Sequence, residues 1–219
     1  MGIILDPMTP SSVQIFLAIS WCFILRPEAE SSSLLRLDPC QQDSEAQSTG
    51  SIHLELNEDG VESLVIRLRR RKNAPRGAVI SRICSRNKAD TLSRHCGTVL
   101  CPIHAIWKKI AKQTRPGSHL FPTHIKGLVL ECIRHQLMRS NHPAAGEFTL
   151  YSIRRGASQF FVDQGGSYDQ LIDAAIWNSK AVKAYLNKAK SEGKLSADII
   201  ATCDYREGYI WRRMGEKQK

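Results

Sequence analysis

The segment SIHLELNEDGVESLVIRLRRRKNAPRGAVISRIC, residues 51–84, predicts a sheet on which the helices of this chain can pack. Apolar and polar residues alternate on both sides of the turn sequence NEDG (57–60), which is typical of two strands joined as a hairpin. A basic turn (69–77) then leads into a third strand (78–84). We therefore expect one small antiparallel sheet of three strands. Its second hairpin tip carries four basic residues: Arg70, Arg71, Lys72 and Arg76.

Most of the remaining chain has helical patterns, so we expect a mainly helical α+β fold. The apolar run VQIFLAISWCFIL (13–25) is interrupted by polar residues and is too short to span a bilayer, so it predicts a buried helix of a soluble protein. A second short helix is expected through Leu34, Leu35 and Leu37, and SHLF (118–121) as an extended piece. Further helices are predicted over 102–113, 124–140, about 151–164, 168–175 and about 179–190.

The formal charge of +10 is unevenly distributed along the 219 residues. Positions 1–66 carry two basic and ten acidic residues, whereas positions 67–140 carry seventeen basic and two acidic residues. A concentrated basic surface favours a polyanionic partner, most often nucleic acid, because phosphates neutralised by Lys and Arg release condensed counterions.

The seven cysteines are an odd number in a chain long enough to bury a core, which favours reduced thiols and an intracellular setting. Four ligands with the spacing Cys84, Cys96, Cys101, His104 raise the alternative of a structural zinc site, which would make the protein a zinc-stabilised nucleic-acid adaptor. The gap between Cys84 and Cys96 fits no standard zinc knuckle, so buried reduced cysteines are the competing interpretation.

The predicted helix 151–164 has basic residues near its N-terminus, where the positive end of the helix dipole disfavours cations. An apolar stripe on this helix is expected to face the core: Ile153, Ala157, Phe160 and Phe161. Tyr151, Arg154 and Arg155 lie off that stripe, near the helix N-terminus. Cations there are unfavourable unless an anion lies among them, so the pattern predicts a phosphate site.

The sequence YSIRRGASQFFVDQGG (151–166), followed by LIDAAIWNSKAVKAYL (171–186), resembles the catalytic core of the tyrosine recombinases, or integrases. That family has H-x-x-R-R-G, an apolar helix ending in glycine, a Leu-Ile segment, a His or Trp, and a tyrosine eight or nine residues later. FILRPEAESSSLLRL (23–37) is similar to its first arginine motif, and RLRRRKN (67–73) to its lysine turn. LCPIHAIWKKI (100–110) and the HLF that follows are similar to the crypton-like eukaryotic branch. The resemblance covers about residues 12–190.

The resemblance implies cleavage and rejoining of DNA strands through a covalent 3′-phosphotyrosine. This chemistry suits site-specific recombination and the integration of a mobile element, and equally a relaxing topoisomerase. Tyr185 would attack the phosphodiester, while Arg26 and Arg154 would bind its non-bridging oxygens. Lys72 would protonate the departing 5′-oxygen, and Trp177 would contact the phosphate through its indole N–H.

The same resemblance implies the partners and the domain organisation. Double-stranded DNA would contact four basic residues: Arg70, Arg71, Arg76 and Arg155. Copies of the chain would form a homo-oligomer on DNA, with no membrane, metal or other cofactor involved. Residues 1–190 would form one catalytic domain without a separate N-terminal DNA-clamp domain, and 191–219 a tail with a short helix. In a eukaryotic host, RLRRRK (67–72) would serve nuclear import.

Departures from the family pattern favour an alternative, a DNA-binding module of the same ancestry that no longer cleaves. Tyr151 stands where the family has histidine, and a phenol is a weak proton shuttle near neutral pH. The acid expected three residues after Arg26 is displaced to Glu28 or Glu30, and Ala175 replaces a glycine.

Several roles also have local alternatives. Periodicity does not distinguish Arg154 from Arg155, since both lie one turn from Tyr151. Arg71 competes with Lys72 at the basic turn, and an ion pair with Glu30 competes with a catalytic Arg26. Two aromatic residues, Trp177 and Tyr185, could instead simply pack against their neighbours.

Overall fold

A computed structural model describes residues 9–37, 50–56, 62–69, 76–84, 101–143 and 145–177. Within these residues the chain has the mixed α+β architecture that the sequence predicts. The α-helices are α1 (Ser11–Cys22), α2 (Pro102–Gln113), α3 (Ile125–Arg139), α4 (Leu150–Asp163) and α5 (Tyr168–Ala175). The strands are β1 (Leu35–Arg36), β2 (Ser51–Leu56), β3 (Glu62–Leu68) and β4 (Ala78–Ile83), and a π-helical turn covers Pro27–Ser31.

The sheet has the order β1-β2-β3-β4 and is mixed. The central pairs are antiparallel, with Ile66 of β3 opposite Ile52 of β2 and Ile80 of β4. All three isoleucines are buried, and the three strands lie where the alternating pattern predicts them.

The predicted three-stranded antiparallel sheet is nevertheless wrong in strand number, because β1 pairs in parallel with β2. The Leu35 N–H donates to the Gly50 carbonyl and the Leu37 N–H to the Ile52 carbonyl, at 2.9 and 3.0 Å. The short helix predicted for this segment is therefore also wrong. Pairing with a strand distant in sequence overrides the local helical pattern. Leu35 also bridges His119, which confirms the extended piece at 118–121.

Helix α1 forms the centre of the main core. Val13, Phe16 and Ile19 are fully buried, and the rings of Phe16 and Phe121 meet edge to face with 5.2 Å between centroids. Helices α2, α3 and α4 all contact α1. The prediction of a buried helix for the apolar run is therefore confirmed. Among the residues that the structure describes, no helix has both the length and the apolar content that crossing a bilayer requires.

Helices α1 and α5 end in the same unusual way. Ile24 and Ile176 have φ angles of 52° and 48°, in the left-handed region that β-branched residues rarely adopt. In both turns the next N–H bonds back five residues, from Leu25 to the Ser20 carbonyl and from Trp177 to the Ile172 carbonyl. These bonds are typical of a Schellman C-terminus, where glycine is usual. The two turns direct the chain into the segments that carry Arg26 and Trp177.

Gly77 closes the connection between β3 and β4, in which the basic hairpin tip lies. Its φ is +94°, and a Cβ there would come within 2.7 Å of the Leu68 carbonyl oxygen. Leu68 pairs directly with Ala78, so residues 69–77 form the connection. Residues 70–75 of that connection lie outside the described residues.

We predict that Gly77→Ala lowers the free energy of unfolding by about 1–3 kcal/mol, because both the backbone angle and the nearby carbonyl oppose a Cβ. Gly127→Ala is the control, since Gly127 lies inside α3 and a methyl group added there would meet open space, with no described neighbour within 4 Å. That change should stabilise the protein by about 0.5–1 kcal/mol. Urea denaturation of both variants measures the difference, and equal effects would contradict the geometry of the turn.

Candidate active site

The centre of the candidate site is a contact between Arg154 of α4 and Trp177, which follows α5. The guanidinium carbon of Arg154 lies 4.5 Å from the centroid of the Trp177 ring. Arg154 is only 3% exposed and Trp177 8% exposed, so both partners are largely withdrawn from water. A desolvated cation over an indole face gains about 2 kcal/mol, which offsets part of the cost of burying the charge.

Arg154 lies on the buried stripe of its helix and not beside it. The stripe on α4 consists of Leu150, Ile153, Arg154, Ala157 and Ser158. The predicted stripe is therefore correct at Ile153 and Ala157, whereas Phe160 and Phe161 are only partly buried. The prediction that Arg154 is off the stripe is wrong, because hydrophobic periodicity assigns a charged residue to solvent and does not anticipate the Trp177 ring that covers it.

Trp177 is fixed by a small apolar cluster separate from the main core. Its buried members are Ile24, Ala157, Leu171, Ala175 and Trp177. Ile24 is two residues before Arg26, so this cluster joins the Arg26 segment, α4 and the end of α5. Trp177 is accordingly a packed residue and also the partner of Arg154.

Arg26 begins the π-helical turn Pro27–Ser31, which packs against α1 and α4. Its Nε–H donates to Glu30 Oε1 at 2.9 Å and its backbone N–H to Glu30 Oε2 at 2.7 Å. Glu30 is 3% exposed, whereas the Arg26 side chain is 32% exposed. The turn is also tied to α1 by a buried hydrogen bond of 2.8 Å between the Ser20 and Ser31 hydroxyls. The structural ion pair considered from the sequence is present.

The ion pair is compatible with anion binding by Arg26. In the part of the chain that the structure describes, Glu30 is the only acceptor of a hydrogen bond from the Arg26 side chain, and it uses Nε alone. A guanidinium has five N–H donors, so the four on the Nη atoms are available to a ligand at the exposed end. Glu30 therefore orients Arg26 without saturating it.

The other described candidates lie on the surface. Tyr151 is 45% exposed in the first turn of α4, and Arg155 and Arg76 are exposed as well. Arg154 and Arg155, which periodicity does not separate, thus differ sharply: Arg154 is buried against an aromatic ring and Arg155 faces solvent. Helix α4 begins where the sequence predicts, with the Thr149 N–H bonded to the Ser152 hydroxyl at 3.1 Å.

The remaining predicted site residues fall outside the described residues. They are Arg70, Arg71, Lys72 and Tyr185, together with Cys96 of the proposed zinc set, the predicted helix 179–190 and the tail 191–219. Their roles remain predictions.

Arg82 is a positioning residue that the sequence interpretation did not single out. From β4 its Nε–H donates to the Cys22 carbonyl at 2.9 Å and its Nη2 to the Ala174 carbonyl at 2.8 Å. It also lies over the Phe23 ring, 5.3 Å from the centroid. Both carbonyls are at helix C-termini, where a cation is favourable. Arg82 thus holds together the two helix ends that precede Arg26 and Trp177.

The strand periodicity of β4 indicates that Arg82 faces the core. Strand residues two apart share a face, so Arg82 lies on the same side of β4 as the buried Ile80. The apolar Val79 and Ile83 on the opposite face are exposed, which obscures that pattern.

A second group of chemically active side chains lies just beyond the C-terminal end of β4, where Cys84 follows Arg82 by two residues. Cys84, Cys101 and His104 have ligand atoms that all lie within 4.8 Å of one another. Cys132 on α3 is a separate thiol whose pKa is raised by burial and by the nearby Glu131 carboxylate.

Comparison of the chain with protein-family models, with curated proteins and with solved structures finds no match. The functional assignment therefore depends on the residues themselves.

We predict that Arg154→Lys destabilises the protein by about 1–3 kcal/mol. The ammonium group of lysine is not planar and cannot stack on Trp177 as the guanidinium does, yet the variant still buries a cation. Arg155→Lys is the matched control on the adjacent, exposed position and should change stability by less than about 0.5 kcal/mol. Urea denaturation monitored by circular dichroism measures both. Equal losses would contradict a specific Arg154 stack.

We also predict that Arg82→Met, which keeps the length of the side chain but removes its donors, costs about 2–4 kcal/mol of folding free energy. Two helix-terminal carbonyls would lose a charged donor. Arg67→Met, at an exposed position of β3, should change stability by less than about 0.5 kcal/mol. Hydrogen exchange should also accelerate at the Leu25 and Trp177 amides in the Arg82 variant. Unchanged exchange at both amides would be evidence against the clamp.

Proposed function

We propose that the protein cleaves and rejoins DNA strands as a tyrosine-type site-specific recombinase, with Tyr185 as the nucleophile. The reaction class comes from the ordered sequence motifs. The observation that supports it best is the direct contact between Arg154 and Trp177, two residues that the family pattern selects from separate segments. Nothing in the local sequence around either residue requires that contact.

The chemistry needs cations that are held in place before DNA binds. Arg154 is fixed by the Trp177 ring. The Arg26 guanidinium is fixed by one hydrogen bond from Nε to the buried Glu30, which also accepts a bond from the Arg26 backbone N–H. The turn that Arg26 begins packs on the helix that carries Arg154. Two guanidiniums restrained in this way lose little conformational freedom on binding a phosphate, and their forked donors match its non-bridging oxygens.

In the proposed reaction, the Tyr185 hydroxyl gives its proton to solvent, and its oxygen attacks the phosphorus and forms the new P–O bond. The bond to the 5′-oxygen breaks, and Lys72 gives that oxygen a proton. Arg26 and Arg154 stabilise the negative charge that develops on the non-bridging oxygens. The strand is left as a 3′-phosphotyrosine, and attack by a 5′-hydroxyl reverses the steps without an external energy source.

A second candidate function is a DNA-binding module that does not cleave. One observation favours it: Tyr151, which is 45% exposed, stands where the family has histidine. Such a module would use the same arginines and basic hairpin to bind phosphates.

We predict that the wild-type chain forms a covalent DNA adduct and that Tyr185→Phe does not. The substrate is a library of duplexes with a randomised segment, each nicked so that the cleaved strand loses a short fragment and cannot be rejoined. Protein–DNA complexes that survive boiling in detergent are collected and their DNA is sequenced. Tyr168→Phe, at the start of α5, is the control and should retain the adduct.

An adduct that persists in Tyr185→Phe would contradict the proposed nucleophile. Salt-sensitive DNA binding by the wild type with no denaturation-resistant product would instead support the binding module.

A further inference from the structure

We propose that Cys84, Cys101 and His104 bind a zinc ion that fastens the end of β4 to the start of α2. This inference is independent of the proposed DNA chemistry, whose residues lie elsewhere in the chain. It extends the spacing pattern noted in the sequence, because the structure brings three of those ligands into contact.

Two of the three distances among the ligand atoms fit tetrahedral zinc, and the third pair, Cys101 and His104, has ligand atoms within 4.8 Å of each other. Cys84 Sγ lies 3.5 Å from Cys101 Sγ and 3.6 Å from His104 Nδ1. Bond lengths of about 2.3 Å for Zn–S and about 2.1 Å for Zn–N give tetrahedral edges of about 3.8 Å and about 3.6 Å. The two thiols are not joined as a disulfide, whose sulfurs would be about 2.05 Å apart.

The backbone explains why the three side chains meet. Cys101 is the N-cap of α2, and His104 lies three residues later in its first turn. Residues three apart on a helix share a face, so the two side chains point to the same side. Cys84 directly follows β4, and its N–H donates to the Glu62 carbonyl at 2.9 Å, which fixes it against the start of β3.

Glu62 accepts the hydrogen bond that a zinc-binding histidine usually donates from its other ring nitrogen. Its Oε2 lies 2.5 Å from His104 Nε2, the ring nitrogen opposite the one near Cys84. A proton on Nε2 that is donated to Glu62 leaves the Nδ1 lone pair directed at the metal position. The carboxylate thus fixes both the orientation and the tautomer of the ligand.

The ligand chemistry favours zinc over other common ions. Two thiolates and an imidazole are a soft and borderline set that binds Zn²⁺ well and suits Mg²⁺ or Ca²⁺ poorly. Binding releases two thiol protons to solvent, and the two thiolates neutralise the charge of the ion. Both cysteines are buried, so the neutral cluster costs little desolvation. These three residues supply three of the four positions of a tetrahedral site.

The metal would stabilise the fold by cross-linking two segments of the chain. It would join Cys84 to Cys101 across a sequence separation of 17 residues. Closing such a loop lowers the entropy of the unfolded chain, and zinc binding adds directly to the folding free energy.

The test measures metal in the untagged full chain, expressed with zinc and purified under reducing conditions without chelator. Elemental analysis by inductively coupled plasma mass spectrometry should find about one zinc ion per chain in the wild type. Cys84→Ser, Cys101→Ser and His104→Gln should each lose most of it. Cys132→Ser is the control thiol variant and should keep its zinc, since Cys132 lies on α3 outside the cluster.

Two further measurements separate metal binding from a simple folding defect. Titration of the metal-free wild type with Co²⁺ should produce a thiolate-to-cobalt absorption band in the near ultraviolet, which added zinc abolishes. Glu62→Gln keeps all three ligands and should weaken zinc binding about 10–100-fold. A zinc-free wild type that gives no cobalt band would overturn the proposal. Zinc that persists in all three ligand variants would do the same.

Discussion

A buried guanidinium is the constraint on which the candidate site depends. Arg154 has almost no contact with water, and a cation in that position is stable only if the surrounding groups compensate for the lost hydration. The face of Trp177 provides one such group. Trp177 in turn is held by Ile24 and by the end of α5, so the placement of one charge links α4, α5 and the segment that precedes Arg26.

The sheet is connected to the candidate site through Arg82. Arg82 extends from β4 to the last carbonyls of two helices, and so ties the strand layer to both turns that enter the site. These turns contain Ile24 and Ile176 in the left-handed conformation, at a cost of about 1–2 kcal/mol each. Both isoleucines adopt this conformation despite its cost. The packing and the Arg82 bonds therefore determine the path of the chain more strongly than the backbone preference of isoleucine does.

The sequence predicts those elements whose pattern is local. The hairpin strands, the α4 and α5 helices and the buried α1 all follow from periodicity and turn residues. Strand β1 does not, because its parallel partner is distant in sequence and no local pattern encodes that pairing. In the site, residue identities came from the family resemblance. The Arg26–Glu30 ion pair joins residues four apart and was therefore open to prediction from the sequence. The burial of Arg154 and the clamp of Arg82 depend on tertiary contacts that one sequence cannot reveal.

The central claim is that Arg154 neutralises the charge of a phosphate in the reaction. The most direct measurement compares cleavage by Arg154→Ala on the selected DNA with cleavage of the same DNA carrying a methylphosphonate at the scissile position. Replacing a charged oxygen by methyl removes the charge that the arginine stabilises. The account predicts that the variant fails on phosphate and recovers on methylphosphonate. Equal impairment on both substrates would contradict it.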